Sequence, residues 1–371
     1  MVQMKIAVLR ERKDGELRVA ATPDTVKKYV SLGAEVCVET KAGKGASIAD
    51  ELYQAAGATI ASEISTCTQE AHLILKVCAP EKEELMLLED GALLVGMLDP
   101  HTQKELLAGY NLKKLSTFAL ELLPRISRAQ AMDSLSSQSN LAGYRAVIEA
   151  VAALSKAVPM MMTAAGTVAP AKALVLGAGV AGLQAIATAK RLGAVVSAFD
   201  VRPVVKEQVE SLGAKFIEVP AEESGEAAGG YAKEMSEEYK KKQAQLIHET
   251  LARQDMVIST ALIPGKPAPV LITEDMVKGM KPGSVIVDLA AASGGNCPLT
   301  KLDKVVVKYG VTIIGYSNLP SRLAIDASQL YARNVYNFVS ALLMPEVKWD
   351  DELVVGTLLT TAGEIVHKNF K

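Results

Sequence analysis

Three glycines with the spacing G-x-G-x-x-G, Gly177, Gly179 and Gly182, follow the apolar run KALVL directly and open a helical run. In this pattern the first glycine permits a tight turn and the second lets the backbone approach a pyrophosphate. The third allows helix and strand to pack closely. Free N–H groups and the helix dipole at the helix start favour a bound anion. The spacing therefore predicts a dinucleotide site.

A carboxylate stands where such a site needs one. Asp200 ends the next predicted strand, VVSAFD, 23 residues after Gly177. A carboxylate at this place accepts hydrogen bonds from both hydroxyls of an adenosine ribose and repels a 2′-phosphate, so it favours NAD over NADP. Arg202 stands two residues further on, and an arginine there can accommodate the 2′-phosphate. We predict NAD(H) as the cofactor.

A second polar stretch, PRISRAQAMDSLSSQSNLAGYR at residues 124–145, follows the apparent strand end STFALELL. Its arginine, glutamine, aspartate and serine side chains, Arg125, Gln130, Asp133 and Ser136 among them, can present donors and acceptors to an amide and a ribose. Two interpretations remain open from spacing alone. The stretch is either a ligand-binding edge or the capped start of a helix, with Asp133 or Ser134 as the N-cap.

Composition excludes several classes of function. Forty Lys and Arg residues against forty-two Asp and Glu residues leave a net charge of -2, and aromatic residues make up only 4%. Nucleic-acid binding is therefore not expected as the main role. The four cysteines and four histidines are dispersed, so we predict neither a zinc site nor a disulfide scaffold. No signal-peptide-like run opens the chain, and the apolar window 173–189 is too short and glycine-rich to span a membrane. We expect a soluble, globular protein of a reducing compartment.

Short β-branched runs alternate with helical stretches along most of the 371 residues. This alternation predicts parallel sheets covered on both faces. The predicted strands are residues 5–9, 35–39, 73–77, 93–97, 115–119, 172–176, 195–200, 215–219, 256–261, 284–289 and 311–315. The predicted shorter helices of the first third are residues 23–32, 50–56, 81–89 and 103–108, and units such as LGAEV, AGATI, LGAVV and LGAKF recur after helices.

The predicted strands form two groups, residues 5–119 and residues 172–315. A long amphipathic stretch, residues 134–157, separates the two groups, and a second one, residues 321–343, follows the second group. Helices of this kind cross between domains, and the second returns the chain to the first domain. We therefore predict an α/β fold with two Rossmann-like, doubly wound parallel-sheet domains, separated by a cleft and joined by long helices. The predicted domains are residues 1–135 with 322–371, discontinuous in sequence, and residues 136–321, which bind NAD(H). Clefts of this type are common ligand sites.

Residues 220–242, PAEESGEAAGGYAKEMSEEYKKK, interrupt the pattern because they contain almost no core-forming side chains. They are either a solvated helix with a linker or a mobile lid with Tyr231 at its tip.

Several long motifs together resemble the NAD(H)-binding domain of the alpha subunit of proton-translocating nicotinamide nucleotide transhydrogenase. They are RISRAQ-x-MD-x-LSSQSN-x-AGYRA, GAGVAGLQAIATAKRLGA, AFDVRP, KEQVESLGA, GGYAKEMSEE, TALIPGKPAP, KPGSVIVDLA and GGNCPL. The resemblance extends from ERKDGELRVAATP to about residue 333.

The resemblance implies roles for individual residues of this chain. Arg125, Gln130, Asp133 and Ser136 would position the nicotinamide and its ribose. Ala178, Gly179 and Val180 would contact the pyrophosphate, and Asp200, Val201 and Arg202 would surround the adenosine ribose. Gly230 and Tyr231 would lie on a mobile loop, with Gln243 and Leu262 nearby.

The resemblance also implies an activity. Members of the family exchange a hydride between NAD(H) on this subunit and NADP(H) on a partner subunit, Re/Si-specifically and coupled to proton translocation through a membrane domain. Such exchange needs no general acid, base, metal or nucleophile, because the cofactors carry the chemistry. Expected partners are the NADP(H)-binding beta subunit, the membrane-spanning domain and a second copy of the chain in a homodimer. The expected location is peripheral, on the cytoplasmic face of the inner membrane.

Two other interpretations stay open. Alanine dehydrogenase is similar in several motifs, and Arg18 and Lys76 resemble its substrate-binding arginine and lysine. Its acid/base histidine would fall in LLVGMLDPHT, where Asp99 takes that place and His101 stands two residues on. A non-catalytic NAD-binding sensor would also be compatible with the fold.

Overall fold

Strands and helices alternate along the residues described by a computed structural model, 3–219, 236–263 and 265–371. The strands are β1 Lys5–Val8, β2 Glu35–Glu39, β3 Thr59–Ala61, β4 Leu73–Cys78, β5 Leu93–Met97, β6 Ser116–Ala119, β7 Met161–Thr163, β8 Gly166–Val168, β9 Lys172–Leu176, β10 Val195–Phe199, β11 Lys215–Ile217, β12 Met256–Ser259, β13 Val285–Asp288, β14 Val305–Lys308, β15 Val311–Ile314, β16 Leu358–Thr361 and β17 Glu364–Ile365. The α-helices are α1 Pro23–Ser31, α2 Asp50–Ala55, α3 Ile64–Thr68, α4 Lys82–Leu85, α5 Lys104–Leu112, α6 Ser134–Ala153, α7 Val180–Arg191, α8 Lys206–Ser211, α9 Glu237–Leu251, α10 Glu274–Lys278, α11 Ala324–Leu342 and α12 Glu352–Thr357.

Proximity of Cα atoms divides the chain into two compact units. The first unit is Met1–Gln138 with Pro320–Lys371, and the second unit is Ser139–Leu319. Each unit holds one large sheet, and β7 and β8 pair with each other in a separate two-stranded hairpin.

The sheet of the first unit has the strand order β17-β16-β6-β5-β4-β1-β2-β3. Strands β1 to β6 run parallel, and β16 joins β6 in the antiparallel sense. Alternate residues of β4 enter different cores, because Leu75 and Val77 pack in one cluster and Ile74 in another. The sheet is therefore buried on both faces, as a parallel sheet covered by crossover helices should be.

The sheet of the second unit has the order β11-β10-β9-β12-β13-β15-β14. All neighbours pair in parallel except β14, which is antiparallel to β15. Along β9, Ala173 and Val175 pack on one side while Leu174 and Leu176 pack on the other. Six parallel strands with the order reversing between β9 and β12 are the Rossmann arrangement, whose ligands bind beyond the carboxyl ends of the strands at that reversal. The predicted α/β class with mainly parallel, doubly wound sheets is confirmed.

Some elements differ from those expected. The predicted helix over residues 81–89 is α4, which ends at Leu85, and a strand, β3, forms at the AGATI unit. The pattern of alternation did not predict β14, β16, β17 or the β7–β8 hairpin. These strands are short and antiparallel, and the regular alternation of strands and helices does not predict them.

The apolar window 173–189 divides into most of β9, the glycine loop and most of α7, as predicted. Within the described ranges, no helix combines the length and the apolar character that a membrane crossing requires. The same ranges hold no group of three or more His, Cys, Asp or Glu side chains arranged to bind a metal ion.

Candidate functional site

The glycine loop of the second unit lies between the end of β9 at Leu176 and the start of α7 at Val180. Gly177 has φ +95°, a left-handed conformation that favours glycine. A Cβ at Gly182 would lie 1.9 Å from the carbonyl oxygen of Gly177, so this position is closed to larger residues. A Cβ at Gly179 would meet nothing within 4 Å. The loop is thus tightly packed beneath and open at Gly179, which leaves room for a ligand against the backbone.

Two residues that the sequence reasoning did not single out support this loop. The hydroxyl of Thr260 donates to the carbonyl oxygens of Leu176 and Gly177, at 3.2 and 3.0 Å. A Cβ at Gly143, in α6, would lie 2.0 Å from the carbonyl oxygen of Ala181. Thr260 and Gly143 belong to the quoted motifs TALIPG and AGYR, and this membership was the only indication of their importance in the sequence.

Asp200 follows β10 and is tied to the glycine loop. Its Oδ2 accepts a hydrogen bond from the Ala178 N–H at 2.7 Å. Oδ1 accepts from the backbone N–H of Arg202 at 2.9 Å, and the Arg202 guanidinium donates to both carboxylate oxygens, with Nε–Oδ1 2.9 Å and Nη2–Oδ2 2.8 Å. The carboxylate therefore accepts four hydrogen bonds, which matches its acceptor capacity. The Ala178 N–H is directed at Asp200.

The remaining predicted residues of the second unit have varied environments. Val201 is half-buried and Leu262, after β12, is exposed. Gln243 is buried on the face of α9 that also carries Tyr239 and Ile247, so it packs with the core of this unit. The predicted Gly230 and Tyr231, with most of the predicted lid, lie outside the described residues.

Asn296, from the GGNCPL motif, holds the TALIPG loop in place. The side chain is fully buried, and its Oδ1 accepts from the Ser259 hydroxyl at 2.6 Å and from the Ala261 N–H at 3.1 Å. Its amide nitrogen donates to the carbonyl oxygens of Ala261 and Pro269 at 2.9 and 2.8 Å. The motif was recognised in the sequence, but this structural role was not.

In the first unit, the polar stretch forms a 3₁₀ turn, Ser127–Met132, before α6. Ala129 and Met132 are buried in the core, whereas Gln130 is exposed. Arg125, just before the turn, is also exposed. The alternation of buried and exposed residues holds the backbone of the turn on the core and turns Gln130 toward solvent or a ligand.

Side chains far along the chain fix this turn. The amide nitrogens of Asn334 and Asn337, in α11, both donate to the carbonyl oxygen of Ala131 at 2.9 Å. Asn334 also accepts a hydrogen bond from the Ser137 hydroxyl at 2.7 Å, so it joins the turn to the start of α6. Sequence reasoning missed both asparagines, because only the folded chain brings them to the turn.

Asp133 caps the start of α6, one of the two roles that spacing allowed it. Its Oδ1 accepts from the Ser136 N–H at 2.9 Å and its Oδ2 from the Ser136 hydroxyl at 2.5 Å. This is the geometry of an N-cap for α6, and Asp133 rather than Ser134 provides it. Each carboxylate oxygen keeps further acceptor capacity. Capping and ligand binding by Asp133 are therefore compatible.

Arg18 and Lys76, which resemble the substrate-binding residues of alanine dehydrogenase, are both paired with carboxylates in the first unit. Arg18 donates to Glu16 through Nη2 at 2.6 Å and Nε at 2.8 Å, and Lys76 donates to Glu84 at 2.6 Å. Burial lowers the pKa of Lys76, but the nearby carboxylates of Glu11 and Glu84 outweigh it and the net shift is upward. Both cations stay charged, and a substrate carboxylate would share them with glutamates.

Asp99 and His101 follow β5. Asp99 has φ +46° and its N–H donates to Glu121, whose second oxygen is buried without a hydrogen-bond partner among the described residues. Burial raises the pKa of Glu121 to about 7. His101 is exposed and its ring lies 4.9 Å from that of Phe370. His101 is thus at the surface, two residues after Asp99.

The described residues fit a dinucleotide in the second unit. Gly179 offers open space beside the start of α7, where the first N–H groups of a helix have no intrahelical acceptor. Asp200 lies beside that loop through Ala178. These groups suit a pyrophosphate and a ribose diol respectively.

Comparison with known proteins agrees with this geometry. Residues 7–142 match the model of the N-terminal domain of alanine dehydrogenase/PNT, and residues 146–368 match that of the C-terminal domain. An NAD(P) transhydrogenase subunit alpha polypeptide from Rhodospirillum rubrum is 56% identical over 376 residues, which is 98% of each chain. The crystal structure of transhydrogenase from Sinorhizobium meliloti is 48% identical, with a TM-score of 0.90, and covers 98% of this chain and 100% of that one. An alanine dehydrogenase from Halomonas elongata is 32% identical over 91% of this chain and 87% of its own.

The fold and the glycine loop define a Rossmann-like oxidoreductase that binds a nicotinamide nucleotide. The chain belongs to the alanine dehydrogenase/PNT family. Within that family it is more similar to the alpha subunits of NAD(P) transhydrogenase, as the sequence motifs predicted, and alanine dehydrogenase is a more distant relative.

Proposed function

We propose that this chain is the NAD(H)-binding subunit of a proton-translocating transhydrogenase. It exchanges a hydride, Re/Si-specifically, between NAD(H) bound here and NADP(H) bound to a partner beta subunit. A separate membrane-spanning domain couples the exchange to proton translocation. The subunit is peripheral and is held on the cytoplasmic face of the inner membrane by these partners.

One observation carries the proposal: an open glycine loop with the Asp200 carboxylate fixed beside it. The open space at Gly179 suits a pyrophosphate, and the hydrogen bond from the Ala178 N–H holds the Asp200 carboxylate beside the same loop, where Rossmann sites bind the adenosine ribose. Whole-length similarity to transhydrogenase alpha subunits then favours this activity over others that use the same fold.

In this proposal the adenosine ribose replaces the Arg202 guanidinium on Asp200. This guanidinium occupies one acceptor position on each oxygen of Asp200. When the guanidinium swings away, each oxygen gains one free position while Ala178 and the Arg202 N–H keep the others. Two free acceptors, one on each oxygen, match the two hydroxyls of a ribose.

Residues of the first unit position the nicotinamide in this proposal. Arg125, Gln130, Asp133 and Ser136 bind and orient the ring amide and its ribose, and the anchored turn limits the motion of Gln130. NAD(H), when bound, supplies or receives the hydride. The protein has no proton to move at the reacting carbons, so orientation and exclusion of water are its tasks. Orientation of this kind can remove about 7–11 kcal/mol of a barrier.

The proposed homodimer is supported by the β7–β8 hairpin. All six of its strand residues are exposed, and so is Met160 just before it. Met162 is 78% exposed. An isolated two-stranded hairpin with an apolar surface is only marginally stable in water, so contact with a second copy of the chain would stabilise it.

A spectrophotometric assay tests the main proposal. The purified chain, mixed with an NADP(H)-binding beta-subunit domain of a transhydrogenase, should exchange hydride between NADH and an oxidised NADP analogue, and neither protein should do so alone. Binding of NADH to the chain without exchange at any partner concentration would contradict a transhydrogenase role and favour a nucleotide sensor.

Alanine dehydrogenase remains the second candidate because Arg18 and Lys76 resemble its substrate-binding residues and a relative of that name is 32% identical. Its reaction makes and breaks a C=N bond and needs an acid/base group. Reduction of NAD+ that depends on alanine, with no partner present, would select this activity.

A further inference from the structure

Cys37 and Cys67 pack on the same face of the sheet of the first unit, although 30 positions separate them in the sequence. Cys37 is the central residue of β2, and its neighbours Val36 and Val38 pack into the core on the opposite face. Cys37 instead packs with the cluster that contains Cys67, which lies in α3 against β2. Cys37 is half-buried, and Cys67 is buried.

The Cys67 side chain contacts Cys37 directly. The S–H of Cys67 donates to the carbonyl oxygen of Cys37, with the sulfur 3.5 Å from that oxygen. Thr59, on the adjacent strand β3, lowers the pKa of the Cys37 thiol. Glu39 is the charged group that acts on Cys67. The pair therefore consists of a half-buried cysteine and a buried cysteine beside it.

The interaction between the two cysteines makes their pKa values unequal. The interaction with Cys67 lowers the pKa of Cys37 to about 6, against the opposing effect of burial. The same interaction, together with burial, raises the pKa of Cys67 well above its ordinary range. A thiolate next to a protonated thiol is the arrangement found in cysteine pairs that respond to oxidants.

The other two cysteines do not share these features. Burial, followed by the Glu16 carboxylate, raises the pKa of Cys78, whose sulfur lies 3.3 Å from a Glu16 oxygen. Burial also raises the pKa of Cys297, which is fully buried. Cys78 is half-buried like Cys37, so it is a matched control in the same unit.

We propose that Cys37 and Cys67 form a reversible oxidation site for hydroperoxides, in which Cys37 is the attacking residue and Cys67 the resolving one. The Cys37 thiolate attacks one peroxide oxygen, the O–O bond breaks, and Cys37 becomes a sulfenic acid as hydroxide, or alkoxide from an organic hydroperoxide, leaves and takes up a proton. The Cys67 sulfur then attacks the sulfenic sulfur. An S–S bond forms, the S–O bond breaks, and water leaves with the proton of Cys67.

The two thiols together give up two electrons, and hydrogen peroxide is reduced to two molecules of water. A low-molecular-weight dithiol reverses the step by thiol–disulfide exchange. The product joins α3 to β2. This site is separate from the residues proposed for hydride exchange, so an experiment can contradict either proposal without affecting the other.

Peptide mapping by mass spectrometry tests the site on the full chain. The reduced protein is treated with stoichiometric hydrogen peroxide at pH 7, its remaining thiols are alkylated, and it is digested. We expect a crosslinked peptide pair containing Cys37 and Cys67, reversed by dithiothreitol, while Cys78 and Cys297 are recovered alkylated. In the untreated protein, Cys37 should react with iodoacetamide at least about ten times faster than Cys78.

Two variants separate the attacking and resolving roles. Cys67→Ser keeps a hydrogen-bond donor but cannot form the disulfide, so dimedone should label Cys37 after peroxide treatment. Cys37→Ser should leave Cys67 reduced, and Cys78→Ser should still give the crosslinked pair. Absence of the crosslink in wild-type protein, or equal oxidation of Cys78, would overturn the proposal without reliance on any variant.

Discussion

Arg202 covers both carboxylate oxygens of Asp200, with Nε–Oδ1 and Nη2–Oδ2 distances of 2.9 and 2.8 Å. The arginine that could accept a 2′-phosphate is thus held by the carboxylate that repels one. In the proposed site a ribose diol takes the place of the guanidinium on both oxygens, while the backbone bonds to the carboxylate remain. A 2′-phosphate would meet a fixed negative charge instead.

Asp200→Asn tests this discrimination. Asparagine keeps one oxygen for the Ala178 N–H but loses the charge and one acceptor, and charge-assisted hydrogen bonds contribute about 1.5–3 kcal/mol each. We expect NADH affinity to fall by about ten- to a hundredfold and NADPH affinity to fall much less, measured by titration calorimetry. Asp275→Asn, an exposed carboxylate in the same unit, is the control. Equal losses for the two nucleotides would contradict the ribose role.

Gln130→Ala tests the positioning role of the exposed glutamine on the 3₁₀ turn. Loss of an orienting contact should slow hydride exchange by about a hundredfold, since small displacements of reacting groups cost that much. NADH affinity should change little, because the adenosine and pyrophosphate contacts remain. Single-turnover kinetics and nucleotide titration give the two quantities. Gln54→Ala, an exposed glutamine of α2, should alter neither, and parallel losses in rate and affinity for Gln130→Ala would refute positioning.

Asn334→Asp tests whether the anchor of the turn matters. The change removes the amide donor to Ala131 but keeps an acceptor for the Ser137 hydroxyl. We expect a severalfold slower hydride exchange with NADH affinity unchanged. Asn337→Asp should have a smaller effect because Asn334 still holds the carbonyl. A rate equal to wild type in the double variant would show that the turn needs neither bond.

Glu121→Gln should separate the pH dependence of stability from that of hydride exchange. Burial raises the pKa of Glu121 from its ordinary value of 4.5 to about 7, so the folded chain holds the proton more tightly than the unfolded chain. The wild-type protein should therefore lose stability relative to the variant as pH rises from 4.5 to 7, by up to about 3 kcal/mol. Below pH 4.5 the two proteins should be equally stable.

Denaturant unfolding at several pH values measures this difference. Hydride exchange moves no proton at the reacting carbons, so Glu121→Gln should leave its rate unchanged. A large loss of an alanine-dependent activity in the variant would instead identify Glu121 as an acid/base group.

Met162→Glu tests the hairpin as a dimer contact. A charge in place of the exposed methionine should weaken association of two chains and shift the sedimentation profile toward monomer. Met86→Glu, at a methionine that is 54% exposed in the first unit, should leave the profile unchanged. A Met162→Glu protein that sediments as wild type would exclude the hairpin from the contact.

Sequence reasoning predicted the features that repeat or that lie close together along the chain. The strands β2, β5 and β9 have the predicted bounds, because alternating βα units leave a regular pattern of apolar runs. Asp200 was found from its place after β10, and the Asp133 N-cap from its place before α6. Both predictions, for Asp200 and for Asp133, rest on residues close by in the sequence or on a single motif.

The contacts that were missed join distant segments of the sequence. Asn334 reaches Ala131 across 203 positions, and Thr260 reaches Gly177 across 83. Hydrophobic periodicity describes which face of an element is buried, but it does not specify which element lies opposite. The ion pair between Arg202 and Asp200 was also missed, although the two residues are only two positions apart, because both had been assigned to the ligand.

The pairing of β16 with β6 affects the order in which the protein can fold during synthesis. The hydroxyls of Thr117 and Thr360 hydrogen-bond at 2.8 Å across this pair, although they are 243 positions apart. The second unit is contiguous, so all of it leaves the ribosome before β16 does, and domains generally fold as units as they emerge. The β6 edge of the first sheet therefore lacks its partner strand until the whole second unit has been synthesised.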